Sequence, residues 1–527
     1  MERRLLDFFT GETAEKAGLI SSEIKNNPLI TSLEYDSRQV KKGNLFFALP
    51  GLHTDGGNFI NDAVSKGACV IIHENELPKK NPGISYIKVK DARFAMSPVS
   101  ASFYDFPSRK LLVTGVTGTE GKSTTVYIIW QLLTLLGEKA GFFSTVQKSF
   151  GGEIEWNSEH QTTPEAPVVQ RFLYEMANNG CRYAVAEASS HGLSKKTNRL
   201  GDVEFCSAVL TNVSHEHLEF HGTWEQYRDD KANLFRALDK YAPSPESDFF
   251  GPFGVINADD KSLRYFSEAT HHKIFKYSAA GREADIVITA FENSAWGNWN
   301  RIFLPAANEY FDVRDRLAGS YNARNILAAL LTVSALLKLP VKNIIPYINK
   351  LKPVRGRMKS INFGQPFEVA VDYAHTPSSF QAVFPPMRSR VNKKNGRIIS
   401  VFGSAGERDT QKRAQQGKIA SDYSDIIILT DEDPRRENPS DIIEDIAKGI
   451  EENTGKFKRG ENLFIITDRP AAIRKALSAA CNNDTVLLLG KGHENSIIYA
   501  DHVMPFDEIT EAGKALCEIG YSRETVH

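Results

Sequence analysis

The stretch TGVTGTEGKSTT, residues 114–125, has the residue types of a loop that binds phosphate. Gly118 and Gly121 would let the backbone approach an anion closely. Lys122 could reach the β- and γ-phosphates of a nucleoside triphosphate, and the helix that follows would direct its positive end at them. The chemistry indicated by these residues is binding and transfer of a phosphoryl group.

The spacing of this loop departs from the usual P-loop, in which a glycine stands five positions before the Gly-Lys-Ser unit. Val116 occupies that position here, so spacing alone leaves a variant nucleotide loop and an ordinary strand-to-helix turn equally open. The apolar run LLVTGV before the loop favours phosphate binding, because strand, glycine-rich turn and helix in that order form such sites. Ser123 or Thr124 would then offer a hydroxyl to Mg²⁺.

Two later stretches carry groups that could bind a metal ion. EASSHGL, residues 187–193, places Glu187 at the end of a strand-like run, where a carboxylate suits Mg²⁺; a helix cap at Ser189 or Ser190 is the alternative. HEHLEFHG, residues 215–222, is rich in histidine but lacks the HExxH spacing of a zinc helix, and a solvated polar loop is its alternative. Neither stretch identifies a metal site by itself.

The elements that must position these groups fall into three blocks, which we predict as domains 1–109, 110–354 and 355–527. The first block has short strand-like runs, which indicate a small α/β domain. In the second, strand-like runs alternate with helical ones, which predicts a doubly wound parallel sheet. Its helical stretch YRDDKANLF carries Lys231, and pattern alone puts this lysine on a solvated face. The third block predicts a Rossmann-like α/β domain from four apolar runs, RIISVFGSAG, DIIILTDED, LFIITDR and TVLLLGKG.

Bulk composition is that of a soluble globular protein. Of 527 residues, 41% are apolar and 24% charged, and the formal net charge of −1 gives no basic field for nucleic acid. The five cysteines form no CxxC pair, which fits the reducing cytoplasm. No apolar run approaches the ~18 residues of a membrane helix. We therefore expect a cytoplasmic monomer that binds neither nucleic acid nor membrane.

Taken together, motifs along nearly the whole chain resemble the Mur ligase family, and most closely its MurE type. Any one motif is modest, but their order is specific. The stretches that carry the resemblance are YDSRQVKKGNLFFALPG, DGGNFINDAVSKGA, TGTEGKS, TTP, EASSHGL, TNVSHEHLEFHG, Tyr227 with Lys231, GSYNARNILAA, RGRMK, VDYAHTP, FGSAGERDTQKR, DEDPRRENP and GKGHE.

The resemblance implies an ATP-dependent amide ligase. The γ-phosphate of ATP would pass to the side-chain carboxylate of D-glutamate in UDP-N-acetylmuramoyl-L-Ala-D-Glu. The amine of a free diamino acid would then attack the acyl phosphate, and the tetrahedral intermediate would collapse to an amide and phosphate. The cofactors would be ATP and Mg²⁺, and the process would be cytoplasmic peptidoglycan precursor synthesis.

The resemblance also carries site residues onto this chain, one motif at a time. The ATP residues would be Gly118, Thr119, Glu120, Gly121, Lys122, Ser123, Thr124, Asn322, Asn325, Arg357 and Asp372. The metal ligands would be Ser123, Glu187, His217 and Lys231, the last as N6-carboxylysine. The catalytic set would be Lys122, Lys231, Glu187, His217, Arg357 and Asp372. The uridine substrate would meet Ser37, Thr162, Thr163, Ser189 and Arg199, with His53 and Asp55 as further candidates. Between SSHGL and Arg199 the chain reads SKKTNR, so the glutamine that the family often has there is not placed, and Thr197 would be a poor substitute.

The incoming amino acid would meet a set of residues in the third block, which the family also places. They are Arg408, Glu432, Asp433, Pro434, Arg435, Gly490 and Glu494. Arg435 favours diaminopimelate, because a guanidinium binds a distal carboxylate bidentately. Asp433 favours the bare ammonium of lysine or ornithine and could neutralise Arg435. The diamino acid therefore stays open, with diaminopimelate favoured.

Two other classes of function are alternatives. A related ATP-dependent amide ligase, another Mur ligase or a folylpolyglutamate synthase, would share the loop, but the GERD, DPR and GKGHE stretches argue against both. A non-enzymatic P-loop module that regulates a partner would not need His217, Lys231 and Arg357 together.

Overall fold

The structure, a computed structural model, describes residues 1–50, 56–157, 159, 161–214, 218–242, 251–294, 297–317 and 319–522. Its contacts divide the chain into two compact units. The first unit comprises Met1–Val287, Leu304–Ala307 and Ile326–Ile345, and the second comprises Ile288–Phe303, Asn308–Asn325 and Pro346–His527.

Residues 1–110 form a small α/β layer. Its elements are β1 (Arg3–Arg4), α1 (Leu5–Phe8), α2 (Gly11–Lys16), β2 (Leu19–Glu23), β3 (Leu29–Ile30), β4 (Ser32–Glu34), a 3₁₀ helix (Ser37–Gln39), β5 (Asn44–Phe47), a 3₁₀ helix (Gly56–Phe59), α3 (Ile60–Ser65), β6 (Val70–His73), β7 (Ser85–Val89), α4 (Ala92–Phe103) and a 3₁₀ helix (Pro107–Lys110). The five-stranded sheet has the order β2-β7-β6-β5-β4 and is parallel except between β2 and β7. Helix α4 begins after Asp91, whose carboxylate accepts a hydrogen bond from the amide of Phe94.

Residues 112–337 contain the phosphate loop and the long central sheet. The elements are β8 (Leu112–Thr117), α5 (Lys122–Leu135), β9 (Ala140–Phe143), β10 (Gln147–Ser149), β11 (Glu155–Trp156), α6 (Ala166–Asn178), β12 (Tyr183–Glu187), α7 (Ser190–Leu193), β13 (Ser207–Leu210), α8 (Leu218–His221), α9 (Trp224–Leu238), β14 (Phe253–Asn257), α10 (Leu263–Ser267), β15 (Lys273–Ser278), β16 (Ile286–Ser294), β17 (Gly297–Leu304), β18 (Glu309–Arg314) and α11 (Tyr321–Leu337). Strands β16, β17 and β18 are hydrogen-bonded neighbours in that order.

The central sheet is doubly wound, as the alternating pattern predicts. Strands β9-β12-β8-β13-β14-β15 are parallel neighbours, and β10 and β11 add an antiparallel edge beside β9. Phe142 and Phe143 are adjacent on β9 and therefore point to opposite faces. Phe142 packs against Trp130 of α5, with ring centroids 4.9 Å apart, and Phe143 packs against Phe172 of α6 at 5.8 Å. Helices therefore cover both faces.

Helix α12 (Val341–Ile344) belongs to the first unit and is followed by a 3₁₀ helix (Ile345–Lys350). Residues 359–518 form the last α/β layer. Its elements are β19 (Lys359–Ser360), β20 (Glu368–Asp372), α13 (Pro377–Asn392), β21 (Ile398–Phe402), α14 (Gln411–Tyr423), β22 (Ile426–Leu429), α15 (Pro439–Asn453), β23 (Leu463–Ile465), α16 (Arg469–Ala479), β24 (Thr485–Leu489), β25 (Ser496–Ile498), β26 (Val503–Pro505) and α17 (Glu508–Glu518). The sheet order is β19-β20-β24-β21-β22-β23, parallel except for β19. The four apolar runs predicted as strands are β21, β22, β23 and β24.

In the part of the chain that the structure describes, no single helix has the length and apolar character to cross a membrane. Helix α11 and the segment Val341–Lys350 meet those criteria only as a pair, which is bent by 109°.

Candidate functional site

The phosphate loop connects β8 to α5 and needs its glycines. Gly118 has φ +150°, and a Cβ there would lie 1.9 Å from Thr211 Oγ1. Gly121 has φ +83° and directly precedes the first residue of α5. A side chain at position 118 would displace Thr211, and a residue with a Cβ at position 121 would be strained at this positive φ. The two glycines that the sequence singles out are therefore required by the loop itself.

Lys122 begins helix α5 and folds back over the loop. Its Nζ donates a hydrogen bond to the carbonyl oxygen of Thr119 at 2.7 Å. Ser123 and Thr124 follow in the first turn of the helix and are buried. The first amides of a helix have no partner within it, so this turn, its dipole and the ammonium group can together hold a phosphate.

Glu187 lies at the same edge of the sheet as the phosphate loop. Strand β12 is the parallel neighbour of β8, and Glu187 lies opposite Val116, two residues before Gly118. Its buried carboxylate accepts two hydrogen bonds from Thr145, from the amide at 2.8 Å and from the hydroxyl at 3.0 Å. The expectation of a strand-end carboxylate near the loop agrees with this geometry.

Lys231 is buried, so the solvated face that pattern alone predicts is wrong. The residue is 1% exposed on α9, and its Nζ donates a hydrogen bond to the carbonyl oxygen of Gly118 at 2.7 Å. The ammonium also lies 4.4 Å from the ring centroid of Tyr227, one turn earlier on the helix. The tertiary fold therefore brings this lysine into direct contact with the phosphate loop.

The candidate uridine-substrate residues Thr163, Ser189 and Arg199 lie close to Glu187 and are linked by hydrogen bonds. Thr163 Oγ1 donates to the carbonyl oxygen of Glu187 at 2.9 Å and accepts from the amide of Ser189 at 2.9 Å. Arg199 donates to the carbonyl oxygen of Thr163 at 2.9 Å and to Glu165 Oε1 at 2.9 Å. The buried guanidinium of Arg199 is thus paired with the Glu165 carboxylate, and the binding of the uridine substrate by these residues stays a prediction.

The other candidates for this substrate are placed differently. Thr162 precedes Thr163 and is half-buried. Ser37 is buried at the start of a 3₁₀ helix, and its carbonyl oxygen accepts from Lys66 Nζ at 3.1 Å. Thr197 is buried and its hydroxyl donates to the carbonyl oxygens of His191 and Ser194; that it is a poor substitute for the family's glutamine stays a prediction. The predicted residues His53, Asp55 and His217, together with His215, lie outside the described residues.

In the second unit, Asn322 and Asn325 are paired at the start of α11. Asn325 Nδ2 donates to Asn322 Oδ1 at 3.0 Å, and both residues are buried. The turn before this helix is held by Asp315, whose Oδ1 accepts from the amide of Leu317 at 2.9 Å and from Asn298 Nδ2 at 3.1 Å. Burial raises the pKa of Asp315, and these hydrogen bonds oppose the rise.

Asp372 ends β20 and holds the segment that carries Arg357. Its carboxylate accepts from the amides of Met358 and Ala374, each at 2.7 Å. Burial raises the pKa of Asp372, and the nearby Arg357 guanidinium opposes that rise. Arg357 itself lies over the Tyr373 ring, 4.7 Å from its centroid. The two predicted ATP residues are therefore neighbours through the backbone of Met358.

The residues predicted for the amino acid form a charged cluster at the ends of β22 and β24. Lys491 Nζ donates to Asp433 Oδ1 at 2.8 Å and pairs with Glu494 Oε2 at 2.5 Å. Burial would lower the pKa of Lys491, but the two carboxylates outweigh it and the pKa is raised. Asp433 also accepts from the amide of Ile498 at 3.0 Å, and it shares the Lys491 ammonium with Glu494. That Asp433 could neutralise Arg435 stays a prediction.

Glu432 is the buried carboxylate of this cluster. Among the described residues, its Oε2 has no hydrogen-bond partner, and a Cβ on Gly490 would lie 2.7 Å from that oxygen. Burial raises the pKa of Glu432, and of the cations that oppose this rise Lys412 has the largest effect. Arg435 is half-buried at φ +55°, its amide bound to the carbonyl oxygen of Ile498 at 2.9 Å, and Arg408 is exposed. Cationic and anionic groups therefore both line the predicted amino-acid site.

Family relationships agree with this geometry. Residues 29–103 match the family described as "Mur ligase family, catalytic domain", residues 116–333 the "Mur ligase middle domain", and residues 356–492 the "Mur ligase, glutamate ligase domain". A UDP-N-acetylmuramyl-tripeptide synthetase of Treponema denticola is 52% identical over 507 residues, which cover 93% of this chain and 94% of that relative. The chain belongs to the Mur ligase family. Within the family it is of the MurE type, as the sequence motifs predict.

Solved Mur ligase structures share the fold. One, a UDP-N-acetylmuramoyl-L-alanyl-D-glutamate–2,6-diaminopimelate ligase, is 28% identical, covers 94% of this chain and 96% of its own, and has a TM-score of 0.60. A MurF ligase of Thermotoga maritima in complex with ADP is 19% identical, covers 92% and 97%, and also has a TM-score of 0.60. The predicted three-domain α/β fold is confirmed; the boundaries at residues 109 and 354 stay predictions.

Several residues that support this Mur ligase site have no predicted role. Asn212 lies directly after the strand run SAVLT and clamps the phosphate loop: its carbonyl oxygen accepts from the amide of Thr119 at 2.8 Å, and its Oδ1 accepts from the amide of Glu120 at 3.0 Å. Glu165 Oε1 accepts hydrogen bonds from Arg93 Nη1 at 3.1 Å and from Arg199 Nη2 at 2.9 Å. Asn212 belongs to the motif TNVSHEHLEFHG, so the sequence could have indicated a role for it. The partners of Glu165 are distant in sequence, so no local pattern indicates its role.

The buried pair of Arg469 and Glu508 supports the amino-acid cluster. Both side chains are 0% exposed, and Arg469 Nη2 lies 2.7 Å from Glu508 Oε1. Arg469 also donates to the carbonyl oxygen of Asp431 at 3.0 Å and to that of Leu489 at 2.7 Å. It thus ties together the two chain segments that bear Glu432 and Gly490.

The pH dependence of stability is expected to change when Asp431 is replaced by asparagine. Burial raises the pKa of Asp431 from 3.8 to about 6, although the hydroxyl of Tyr499 donates to its Oδ2 at 3.0 Å. Between about pH 4 and pH 6 the folded chain keeps a proton that the unfolded chain has released, so wild-type stability falls as pH rises through this range. We expect Asp431→Asn to reduce this pH-dependent decrease in the free energy of unfolding by about 1–3 kcal/mol.

Hydrogen exchange of the β22 amides, measured across this pH range, would report the change. Glu452→Gln, at an exposed carboxylate on α15, should keep the wild-type profile. An Asp431→Asn profile that matched the wild type would show that this carboxyl group titrates normally.

Proposed function

We propose that the chain is an ATP-dependent ligase that joins a diamino acid to the D-glutamate of UDP-N-acetylmuramoyl-L-Ala-D-Glu. One observation carries the proposal: the phosphate loop, the buried Glu187 carboxylate and the buried Lys231 amine meet at one sheet edge. The relationship to the tripeptide synthetase of Treponema denticola, over almost the full length of both chains, supports the same activity.

The first step brings together two anions, ATP and a peptide carboxylate, whose approach is repulsive. The first turn of α5 and Lys122 supply positive potential at the phosphates, and Lys122 needs only to leave the carbonyl oxygen of Thr119 to reach them. Asn212 already binds the amides of Thr119 and Glu120, so the loop is held in shape before ATP arrives. The ADP bound by the Thermotoga maritima MurF ligase accords with nucleotide use in this family.

The donor set at this edge fits Mg²⁺. Glu187 offers a buried carboxylate and Ser123 a hydroxyl, both hard oxygen ligands. Among the described residues no group of three or more His, Cys, Asp and Glu side chains is placed to hold a metal ion, and Mg²⁺ typically uses one or two carboxylates with water and phosphate. Lys231 as a carbamate and His217 would complete the set. When bound, the ion would neutralise charge on the phosphates during transfer.

The second step requires a diamino acid whose free amine attacks the acyl phosphate. We place its other end in the charged cluster of Glu432, Asp433, Lys491 and Glu494, beside Arg435. A guanidinium at position 435 could bind a distal carboxylate bidentately, which favours diaminopimelate. The partnerless Oε2 of Glu432 instead favours the bare ammonium of lysine or ornithine.

We expect phosphate release from ATP only when the UDP-dipeptide and a diamino acid are both present. Omission of either substrate should leave the rate at background, and mass analysis should show the tripeptide product. A folate substrate in place of the UDP-dipeptide should give no release. Release with folate would move the assignment to another ligase of this superfamily, and tight ATP binding without any release would favour a regulatory module.

The same assay identifies the diamino acid. Equal concentrations of diaminopimelate, lysine and ornithine would compete, and the mass of the product would show which is used. Arg435→Ala should weaken diaminopimelate use selectively if a distal carboxylate is bound there, whereas Arg436→Ala, at the exposed neighbouring arginine, is the matched control. Equal losses for all three acids would mean that Arg435 does not discriminate between them.

The reaction would take place in the cytoplasm, where ATP is available. All five cysteines are free thiols in the structure, in keeping with a reducing compartment. We expect the active species to be a monomer, which sedimentation of the purified chain would test.

A further inference from the structure

Three buried side chains next to Lys231 form a continuous hydrogen-bonded set. Ser190 Oγ lies 3.0 Å from His221 Nε2, and His221 Nδ1 lies 2.7 Å from Asp230 Oδ2. Gln226 Nε2 donates to the other carboxylate oxygen of Asp230 at 3.2 Å. All three members of the set are less than 5% exposed. No part of the proposed reaction uses them, although Ser190 and His221 stand within motifs that do and Asp230 directly precedes Lys231.

The direction of each hydrogen bond follows from the chemistry of the groups. In the tautomer with the proton on Nδ1, His221 donates to Asp230, because a carboxylate oxygen accepts. In the neutral ring Nε2 is then an acceptor, and the Ser190 hydroxyl donates to it. The resulting chain has one donor and one acceptor at each step, and it fixes the plane of the imidazole ring.

The set joins the segments that bear the proposed metal ligands. Ser190 stands three residues after Glu187, and Asp230 directly precedes Lys231. His221 also packs against Tyr227, with ring centroids 5.2 Å apart, and the Tyr227 hydroxyl lies 3.0 Å from Thr119 Oγ1 in the phosphate loop. The contacts made by positions 227 and 230 therefore hold α9 against rotation about its own axis.

Rotation of α9 decides where Lys231 points. Successive residues of a helix are turned by about 100°, so a side chain held at position 230 sets the direction of the next one. Tyr227 and Lys231 share a face, one turn apart, and that face meets Gly118 and Thr119. A small turn of the helix would move Lys231 Nζ away from the loop and from the edge that bears Glu187.

We infer that Ser190, His221 and Asp230 are positioning residues that hold Lys231 at the phosphate loop for carbamylation and catalysis. The inference rests on the proposed function, in which neutral Lys231 Nζ attacks CO₂ and loses a proton to give the carbamate. The same three residue types occur in hydrolytic triads, but here Ser190 is 2% exposed, so it cannot receive an acyl group.

Substitutions of His221 test the positioning role because they separate its two bonds. Asparagine can keep a donor towards Asp230, glutamine can keep a partner for Ser190, and alanine keeps neither. We expect kcat to fall roughly 10- to 100-fold in His221→Ala, as for a misplaced catalytic group, and to fall less in His221→Gln and least in His221→Asn. The KM for the diamino acid should stay within about twofold.

A second readout does not depend on turnover. In [¹³C]bicarbonate the wild-type chain should show a carbamate signal by ¹³C NMR, and Lys231→Ala should lack it. The signal should decrease in the same order, from His221→Asn to His221→Gln to His221→Ala. The carbamate signal of Ser190→Ala should lie between those of the wild type and His221→Ala. Because Ser190→Ala changes the volume little, it also serves as the test if His221→Ala does not fold.

Two controls separate positioning from general loss of stability. Glu225→Gln changes an exposed residue of the same helix and should behave as the wild type. Leu238→Ala destabilises the buried end of α9, two turns beyond Lys231, and should lower the melting temperature while the carbamate signal and kcat persist.

Full kcat and a full carbamate signal in His221→Ala would overturn the inference, as would equal losses in Leu238→Ala or labelling of Ser190 by a serine-directed fluorophosphonate. Failure of the proposed function would appear differently, as a wild-type chain that releases no phosphate with either substrate present.

Discussion

Lys231→Ala is expected to abolish ligation and substrate-dependent phosphate release, and added bicarbonate is expected not to restore either. The variant lacks the amine that forms the carbamate and also the hydrogen bond to the carbonyl oxygen of Gly118. Loss of a charged group that acts at a developing phosphoryl transition state typically costs 10²–10³-fold in kcat, and loss of the proposed metal bridge adds to this, so we expect a fall on the order of 10³-fold or more.

The controls for Lys231 distinguish chemistry from packing. Lys231→Met keeps most of the buried volume without a nitrogen, so it should fold as the wild type and be as inactive as the alanine variant. Lys240→Ala, at an exposed lysine just beyond α9, should retain full activity. A fully active Lys231→Ala would show that ligation needs neither the carbamate nor this amine, and it would overturn the proposed role of Lys231.

Local pattern predicted the strands and the helix that flank the candidate phosphate loop, because these elements have clear apolar runs. The runs before TGTEGKS and EASSHGL are strands β8 and β12, and the carboxyl ends of parallel strands meet at one edge. That β12 pairs directly with β8 depends on the order of strands in the sheet, which the sequence does not specify. The proximity of Glu187 to the loop was therefore an expectation until the fold gave the register.

Burial of Lys231 could not be predicted from periodicity. Its helix carries four charged residues in YRDDKANLF, a composition typical of a solvated face, yet Asp230 and Lys231 are both buried. The cause lies in partners far along the chain: Gly118 for the lysine and His221 for the aspartate. Only the family resemblance pointed to this lysine, and it did so without the contacts that hold it.

For the amino-acid cluster too, the sequence indicated the chain segments and the structure supplied their contacts. The stretches DEDPRRENP and GKGHE were identified by resemblance, but the pairing of Asp433 with Lys491 and the burial of Glu432 came from the structure. Arg469 and Glu508 are 39 residues apart in sequence. Arg469 is the last residue of the apolar run LFIITDR, whereas Glu508 belongs to none of the motifs that carry the resemblance. Such a pair is specified by complementary burial in the folded state, for which a single sequence offers no local signal.

Glu508→Ala is expected to destabilise the last α/β layer by about 3–5 kcal/mol, because it leaves Arg469 as an unpaired buried charge. Burial raises the pKa of Glu508 and Arg469 opposes the rise, so the carboxylate and the guanidinium stabilise each other. Arg469 also donates to the carbonyl oxygens of Asp431 and Leu489, so its displacement should loosen both site segments and raise the KM for the diamino acid. Native-state hydrogen exchange of β22 and β24 amides would measure the stability change.

The double variant Arg469→Met/Glu508→Leu separates the two effects of this pair. Replacement of a buried ion pair by apolar residues of similar volume is often neutral in stability, so most of the lost protection of β22 and β24 should return. The two carbonyl oxygens would still lack their donor, so the KM for the diamino acid should stay raised. If stability and KM recovered together, Arg469 would serve only the fold; if neither recovered, the loss would come from packing rather than from an unpaired charge.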